Sequence, residues 1–127
     1  MSKCVLVIDD SQDIRDLFTV TLSYIGYEVD TVESGEKGIE SIKARNYDLI
    51  FLDLQMPGQN GVETLRELRK IDDDVPIYIV TGFYDKFSEQ LKSIGKEGIK
   101  YEFLRKPIRS SQLMTITKGL LEEPLPY

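Results

Sequence analysis

The sequence predicts a doubly wound α/β domain, in which a parallel β-sheet is covered by helices on both faces. Short, continuous apolar runs recur along the chain, as expected for central parallel strands that are buried on both sides. Between these runs, apolar residues recur at helical spacing, so that five strand signals alternate strictly with five helix signals. Strict alternation requires right-handed crossovers, which place helices on both faces of an open parallel sheet.

Five strands are predicted, in chain order, at residues 5–8, 28–32, 49–52, 77–80 and 100–104. The first, third and fourth are unbroken runs of mostly β-branched, aromatic or leucine side chains. The second follows a helix stop at Gly26, and the fifth precedes Lys106-Pro107. These two are weaker strand signals than the other three.

A helix is predicted after each strand, because apolar residues recur there three or four positions apart. The first helix starts near Gln12, where Asp9, Asp10 or Ser11 can act as its cap. The apolar positions are Ile14, Leu17, Phe18, Leu22 and Ile25; Ile39 and Ile42; Val62, Leu65, Leu68 and Ile71; Phe87, Leu91 and Ile94; and Leu113, Ile116, Leu120 and Leu121.

The composition excludes several classes of protein. A chain of 127 residues is one ordinary domain, and the absence of histidine excludes Ser-His and Cys-His nucleophile pairs and imidazole metal ligands. The single cysteine, Cys4, cannot form an internal disulfide, and no apolar run is long enough for a signal peptide or a membrane span, so we expect a cytoplasmic protein. The net charge of −6 argues against nonspecific binding to nucleic acid or anionic membranes.

Polar residues follow four of the predicted strands at the point where each strand ends. Asp9 and Asp10 follow the first strand, Asp53 the third, Thr81 the fourth and Lys106 the fifth. Ligands of open parallel sheets bind outside the carboxyl ends of the strands. We therefore expect these side chains to form one site.

Three carboxylates at neighbouring strand ends repel one another, by roughly 4 kcal/mol per pair at 4 Å and an effective dielectric constant near 20. Mg²⁺, which prefers oxygen ligands, and the Lys106 ammonium can offset this repulsion. A carboxylate, a metal-binding acidic pair, a hydroxyl and an ammonium are the groups needed to transfer a phosphoryl group onto an aspartate. Each residue alone also has an ordinary interpretation: Asp9, Asp10 or Ser11 as a helix cap, Thr81 as a strand-end hydroxyl, and Lys106 as a solvated lysine.

These motifs resemble those of the receiver domains of response regulators, of the chemotaxis-regulator type, in two-component signalling. The matching segments are Asp9-Asp10-Ser11, residues 53–58 with Gly61, Thr81-Gly82 and Lys106-Pro107, and the resemblance extends over about residues 3–121. It implies a flavodoxin-like fold with strand order 2-1-3-4-5 and a receiver domain at residues 1–123. Two prolines after the last helix predict a short tail or the start of a linker at residues 124–127. It also implies a phosphorylation-activated switch that catalyses its own phosphorylation and dephosphorylation and is not a turnover enzyme on an external substrate.

The resemblance also assigns roles to individual residues. Asp53 would be the phosphorylation site, accepting a phosphoryl group from a sensor histidine kinase or a phosphotransfer protein. Asp10, Asp53 and the backbone carbonyl of Gln55 would ligate Mg²⁺, with Asp9 supporting the metal largely through water. Lys106 would pair with the phosphoryl oxygens, and the Lys106-Pro107 bond would be cis. The Thr81 hydroxyl would swing inward to bond a phosphoryl oxygen, which places Thr81 with Asp53 and Lys106 among the catalytic residues. Thr81 and Phe103 would also form the switch that changes the surface.

The resemblance places the output face on the fourth helix, fifth strand and fifth helix, where an unknown downstream protein or a second phosphorylated copy would bind. Residues 85–121 carry eight basic and four acidic side chains, a net charge of +4. One hypothesis is that a partner with an acidic patch docks there. The other is that this is an ordinary solvated face.

Three other functions are compatible with parts of the pattern. A pseudo-receiver would keep the fold as a docking module without phosphorylation. An FMN-binding electron carrier would share the topology, but its first loop should offer Gly, Ser and Thr amides where this chain has Asp9 and Asp10. An aspartyl phosphohydrolase should have an Asp two residues after the nucleophile, where this chain has Gln55.

Overall fold

The structure is a computed structural model that describes residues 3–58, 60–82 and 84–122. The predicted tail at residues 124–127 lies outside the described residues. Strands and helices alternate along the described chain as follows: β1 Cys4–Ile8, α1 Gln12–Tyr24, β2 Glu28–Val32, α2 Gly35–Ala44, β3 Leu49–Asp53, α3 Gly61–Ile71, β4 Ile77–Thr81, α4 Tyr84–Lys96, β5 Glu102–Arg105 and α5 Ser110–Leu121.

The five strands form one parallel sheet in the order β2-β1-β3-β4-β5. Every residue of β1 and β3 is buried, because these central strands have a neighbour on each side and helices on both faces. The edge strand β2 has no fully buried residue. The predicted fold class and strand order are confirmed.

Side chains alternate between the two faces of the sheet and build two cores. On one face, Leu6, Ile50 and Ile79 pack with residues of α2, α3 and α4. On the other face, Phe51 packs with residues of α1 and α5, including Phe18, whose ring centroid lies 4.9 Å from its own. Among the described residues, no helix has the length and apolar character needed to cross a membrane.

The fifth strand was predicted to begin at Lys100, and this prediction was wrong by two residues. Its pairing with β4 begins at Glu102, which lies opposite Tyr78, one residue into β4. The Lys100 carbonyl instead accepts two hydrogen bonds, 3.0 and 2.8 Å long, from the guanidinium of Arg69 in α3. The backbone at Lys100 is therefore held by a helix, outside the sheet.

Two apolar residues in the predicted helix patterns are exposed. Ile71 is 40% exposed and Leu120 is 41% exposed. Each lies in the last turn of its helix, α3 and α5 respectively. The apolar spacing continued to the helix end, but the contact with the sheet did not include these two side chains.

Candidate functional site

A cleft of about 1070 Å³ opens at the carboxyl ends of the strands. Its walls come from the loops that follow β1, β3, β4 and β5 and from the first turns of α4. Asp10, Asp53 and Lys106, three residues predicted to lie at a site, line this cleft. This is the position at which open parallel sheets bind their ligands.

Three carboxylates converge at this end of the sheet. One oxygen each from Asp9, Asp10 and Asp53 lies within 4.8 Å of the other two. Asp9 is 2% exposed and Asp53 is 3% exposed, whereas Asp10 is exposed to solvent. The cluster therefore consists of two buried acids and one accessible acid, all with oxygen donors.

Lys106 supplies a positive charge to the two buried acids. Its Nζ lies 3.3 Å from Oδ2 of Asp9 and 3.5 Å from Oδ2 of Asp53. Its backbone amide donates a 3.0 Å hydrogen bond to the carbonyl of Thr81, which holds the end of β5 against the end of β4. The Lys106-Pro107 peptide bond is cis, as the resemblance implies.

The two oxygens of Asp53 have different partners. Oδ1 accepts a 3.0 Å hydrogen bond from the backbone amide of Gln55, and Oδ2 faces Lys106. Burial, reinforced by the negative charge of Asp9, raises the pKa of the Asp53 carboxyl to about 6, against the opposing effects of the Gln55 amide and Lys106. At neutral pH the group is still mostly ionised and can act as a nucleophile or a metal ligand.

The loop after β1 is fixed by hydrogen bonds to its own residues. Asp9 Oδ1 accepts a 2.9 Å hydrogen bond from the Ser11 amide, and Ser11 Oγ caps α1 by accepting one from the Ile14 amide. Arg15, one turn into α1, donates a 2.8 Å hydrogen bond to the Asp9 carbonyl. Helix capping, predicted as an alternative for this segment, therefore belongs to Ser11 and leaves Asp10 and Asp9 Oδ2 facing the cluster.

The loop after β3 depends on two glycines. Gly58 has a φ of +72°, a conformation that other residues rarely adopt. A Cβ at Gly61 would lie 2.5 Å from the Leu54 Cα, so only glycine permits α3 to start this close to the loop. Asn60 caps α3 by accepting hydrogen bonds from the amides of Val62 and Glu63. These contacts fix the backbone on both sides of Gln55.

The remaining predicted residues lie around the cluster. The side chain of Gln55 is exposed, and the predicted metal ligand is its backbone carbonyl. Thr81, fully buried, ends β4. Phe103 is half-buried, pairs in register with Ile79, and packs against the core on the α2, α3 and α4 face. Because strand side chains alternate, Thr81 and Phe103 lie on the same face of the sheet.

Two residues with roles near the site were not predicted. Arg15 was missed, although its position four residues after the helix cap is where a side chain can reach back to the preceding loop. Lys86, in α4, lines the cleft together with Asp53 and Lys106. No sequence signal marks Lys86, since it belongs to a helix with two other lysines, Lys92 and Lys96.

Comparisons with known proteins agree with this geometry. The sequence model of the response regulator receiver domain family matches residues 5–118. Response regulator MprA of Mycobacterium tuberculosis is 32% identical over 126 residues, which are 99% of this chain and 54% of that protein. Response regulator MprA of Mycobacterium ulcerans is 33% identical over 121 residues, 95% of this chain and 51% of that protein. The chain thus spans about half the length of these curated relatives.

Solved structures show the same likeness. The chemotaxis protein CheY4 of Vibrio cholerae superposes with a TM-score of 0.81 at 28% identity, covering 95% of this chain and all of that chain. The receiver domain of NtrX from Brucella abortus has a TM-score of 0.77 at 30% identity and covers 94% of this chain and 99% of that chain.

These matches favour neither the flavin-binding nor the phosphohydrolase alternative. The family is one of signalling switches in two-component systems, and its members act generally as switches without turnover of a substrate. With the fold, the acidic cluster beside Lys106 and the match over residues 5–118 taken together, the chain belongs to the response regulator receiver domain family.

Proposed function

We propose that this domain is a signalling switch activated by phosphorylation of Asp53. One observation carries the proposal: the buried carboxylate of Asp53 faces the Lys106 ammonium at 3.5 Å within a cluster that also contains Asp9 and Asp10. A buried nucleophile with a cation beside it and acidic groups around it is suited to accept a phosphoryl group. Packing of the core gives no reason to place three carboxylates together, because they repel one another.

In the proposed reaction an oxygen of Asp53 attacks the phosphorus of a phosphohistidine on a sensor histidine kinase or a phosphotransfer protein. The new O–P bond forms as the P–N bond breaks, and the electron pair returns to the imidazole nitrogen. Lys106, whose Nζ lies 3.5 Å from Oδ2 of Asp53, would pair with the negative phosphoryl oxygens. The domain promotes its own phosphorylation, and hydrolysis of the resulting acyl phosphate in the same site ends the signal.

The cluster fits a magnesium ion, because its donors are all carboxylate oxygens that lie within 4.8 Å of one another. Asp10, Asp53 and the backbone carbonyl of Gln55 would hold the ion, with Asp9 supporting it through water. When bound, Mg²⁺ supplies positive charge that lowers the repulsion between the carboxylates and an incoming phosphoryl group.

The switch is proposed to begin at Thr81. Phosphorylation adds a charge of about −1.5 to −2, which a hydroxyl donor at the end of β4 can help to satisfy. Thr81 is fully buried, and Phe103 lies on the same face of the sheet, in the neighbouring strand. A shift of the hydroxyl toward Asp53 would alter the space available to the Phe103 ring. This would carry the change to the face formed by α4, β5 and α5.

The α4, β5 and α5 face is the proposed binding surface for a downstream protein or for a second phosphorylated copy. Lys92, Lys96 and Lys100 are all exposed there, which favours a partner with an acidic patch. The net charge of −6 of the chain disfavours nucleic acid and anionic membranes. Reversal of these three lysines to glutamate should abolish capture of the partner by the phosphorylated domain. Capture that survives the triple reversal would refute the acidic-patch hypothesis.

The proposed phosphorylation can be tested by intact-protein mass measurement after incubation with phosphoramidate and Mg²⁺. We expect the mass of one phosphoryl group to be added, and we expect no addition to Asp53→Ala or in the presence of a chelator. Phosphoramidate is a suitable donor because its P–N bond resembles that of phosphohistidine. An unmodified wild-type chain that nevertheless binds Mg²⁺ would favour the pseudo-receiver alternative.

A further inference from the structure

Lys86 is a second cation in the cleft that contains Asp53. It lies in α4 and lines the cleft with Asp53 and Lys106, the other cation among the lining residues. Its Nζ lies 5.8 Å from the ring centroid of Phe87, a buried residue that also lines the cleft. This cation–π contact places the ammonium beside an aromatic ring of the cleft lining.

The two cations differ in their partners. Lys106 is paired with Asp9 and Asp53, whereas no carboxylate among the side chains that the structure describes, which leave out that of Asp85, lies within ion-pair distance of Lys86. The Lys86 side chain is also exposed to solvent. Lys86 therefore presents a solvent-exposed positive charge to a molecule that enters the cleft.

The direction of phosphoryl transfer decides what Lys86 can contact. The attacking and leaving atoms lie roughly in line on opposite sides of the phosphorus, so the leaving group points away from Asp53. Lys106 pairs directly with Asp53, so its ammonium can bind the oxygens of a phosphoryl group attached there. Lys86 lines the same cleft from α4 and is not paired with Asp53, so the part of the donor beyond the phosphorus is the part that it can contact.

We propose that Lys86 determines donor specificity, by speeding phosphorylation of Asp53 from acyl phosphates whose leaving group gains negative charge. This inference rests on the proposed function. With an acyl phosphate, the O–P bond to Asp53 forms as the P–O bond to the acyl group breaks. The electron pair stays on the departing carboxylate, and the Lys86 ammonium stabilises the charge that develops there.

Donors with a P–N bond provide the contrast. Phosphoramidate carries a protonated nitrogen, so when its P–N bond breaks the electron pair leaves on neutral ammonia. The nitrogen passes from positive to neutral and never becomes negative, so relative to the donor free in solution Lys86 gains no attraction to this leaving group in the transition state. The Lys86 charge should therefore matter for one class of donor and not for the other.

The test compares initial rates of phosphorylation, followed by intact mass, for wild type, Lys86→Gln and Lys86→Arg with acetyl phosphate and with phosphoramidate. We expect Lys86→Gln to slow the reaction with acetyl phosphate roughly three- to fivefold, as expected for one solvent-exposed charge, and to leave the phosphoramidate rate unchanged. Lys86→Arg should retain the wild-type rate. Lys43→Gln is the matched control, because Lys43 is an exposed lysine of α2 that is not among the cleft-lining residues.

Two results would overturn the Lys86 inference without affecting the proposed function. One is an equal loss of rate with both donors, and the other is a rate with acetyl phosphate that does not respond to Lys86→Gln. Added salt should reduce the difference between wild type and Lys86→Gln. If phosphoramidate fails to modify wild-type Asp53, the proposed function itself fails and this inference fails with it.

Discussion

The backbone amide of Lys106 donates a 3.0 Å hydrogen bond to the backbone carbonyl of Thr81. This bond joins the ends of β4 and β5 through main-chain atoms, so it does not depend on either side chain. The Lys106 ammonium can pair with Asp53 while the Thr81 side chain changes its position. Reactivity at Asp53 and the response to phosphorylation should therefore be separable by mutation.

The substitution Thr81→Val should leave the reactivity of Asp53 in place and remove the conformational response to phosphorylation. Valine keeps the branched shape of the buried side chain and the backbone bond to Lys106, but it lacks the hydroxyl. We expect Asp53 still to be phosphorylated, while the change in amide hydrogen exchange over residues 84–121 is largely lost. Thr81→Ser, which restores a hydroxyl, should recover that change. A full exchange response in Thr81→Val would contradict the proposed role of the hydroxyl.

The stability of the domain should fall as the pH rises through the folded pKa of Asp53. The pKa is raised from 3.8 to about 6 on folding, so between these values the folded state binds more protons than the unfolded state. The free energy of unfolding therefore decreases from pH 4 to 6 because of this group, by on the order of 2 to 3 kcal/mol, and the full penalty is present above pH 6.

Asp53→Asn removes this titration, while its amide oxygen can still accept the hydrogen bond from Gln55. Urea unfolding in the presence of a chelator should give similar stabilities for wild type and Asp53→Asn near pH 4. By pH 7 the variant should be the more stable protein. Stability curves that run parallel from pH 4 to 7 would show that the carboxyl is not strained by burial.

Mg²⁺ should stabilise the domain, because a ligand that binds only the folded state adds about 2.7 kcal/mol at one hundred times its dissociation constant. The increase in melting temperature should shrink in Asp10→Asn, which removes an exposed carboxylate from the cluster and should leave the core intact. Asp16→Asn is the control, since Asp16 is an exposed aspartate of α1 outside the cluster. An unchanged Mg²⁺ response in Asp10→Asn would remove Asp10 from the proposed ligands.

The sequence predicted the features that depend on local pattern. The apolar run at residues 49–52 predicted β3. Asp53 follows this run and lines the cleft at the carboxyl ends of the strands, where open parallel sheets bind ligands. The start of β5 was missed because it depends on where β4 begins to pair and on how Arg69 holds the Lys100 carbonyl. Both contacts involve residues far from residue 100 in the sequence, so the pattern around that residue does not predict them.

The side chains around the cluster also show that local pattern predicts some contacts and not others. Asp9, Asp10 and Lys106 could be grouped because each directly follows a strand, and strand ends converge in a parallel sheet. Lys86 could not be grouped with them, since its place in the cleft depends on how α4 is rotated against the sheet. Contacts set by the packing of one element on another do not appear in a pattern read along one element.

Gly61→Ala should destabilise the domain and slow phosphorylation together. A Cβ at this position would lie 2.5 Å from the Cα and 2.7 Å from the carbonyl oxygen of Leu54, and backbone atoms cannot yield without moving the loop. Leu54 directly follows Asp53, so the displacement would reach the phosphorylation site. We expect a loss of about 2 kcal/mol or more in the free energy of unfolding, as for other steric conflicts in buried regions.

Gly119→Ala is the matched control for this prediction. Gly119 lies inside α5, and a Cβ there would meet no atom within 4 Å. Alanine should stabilise the helix by roughly 0.5–1 kcal/mol because it loses less conformational freedom on folding, and the phosphorylation rate should not change. Urea unfolding and intact-mass time courses on both variants measure these effects. If Gly61→Ala matched Gly119→Ala in both measurements, the close approach of α3 to Leu54 would not be what positions the Asp53 loop.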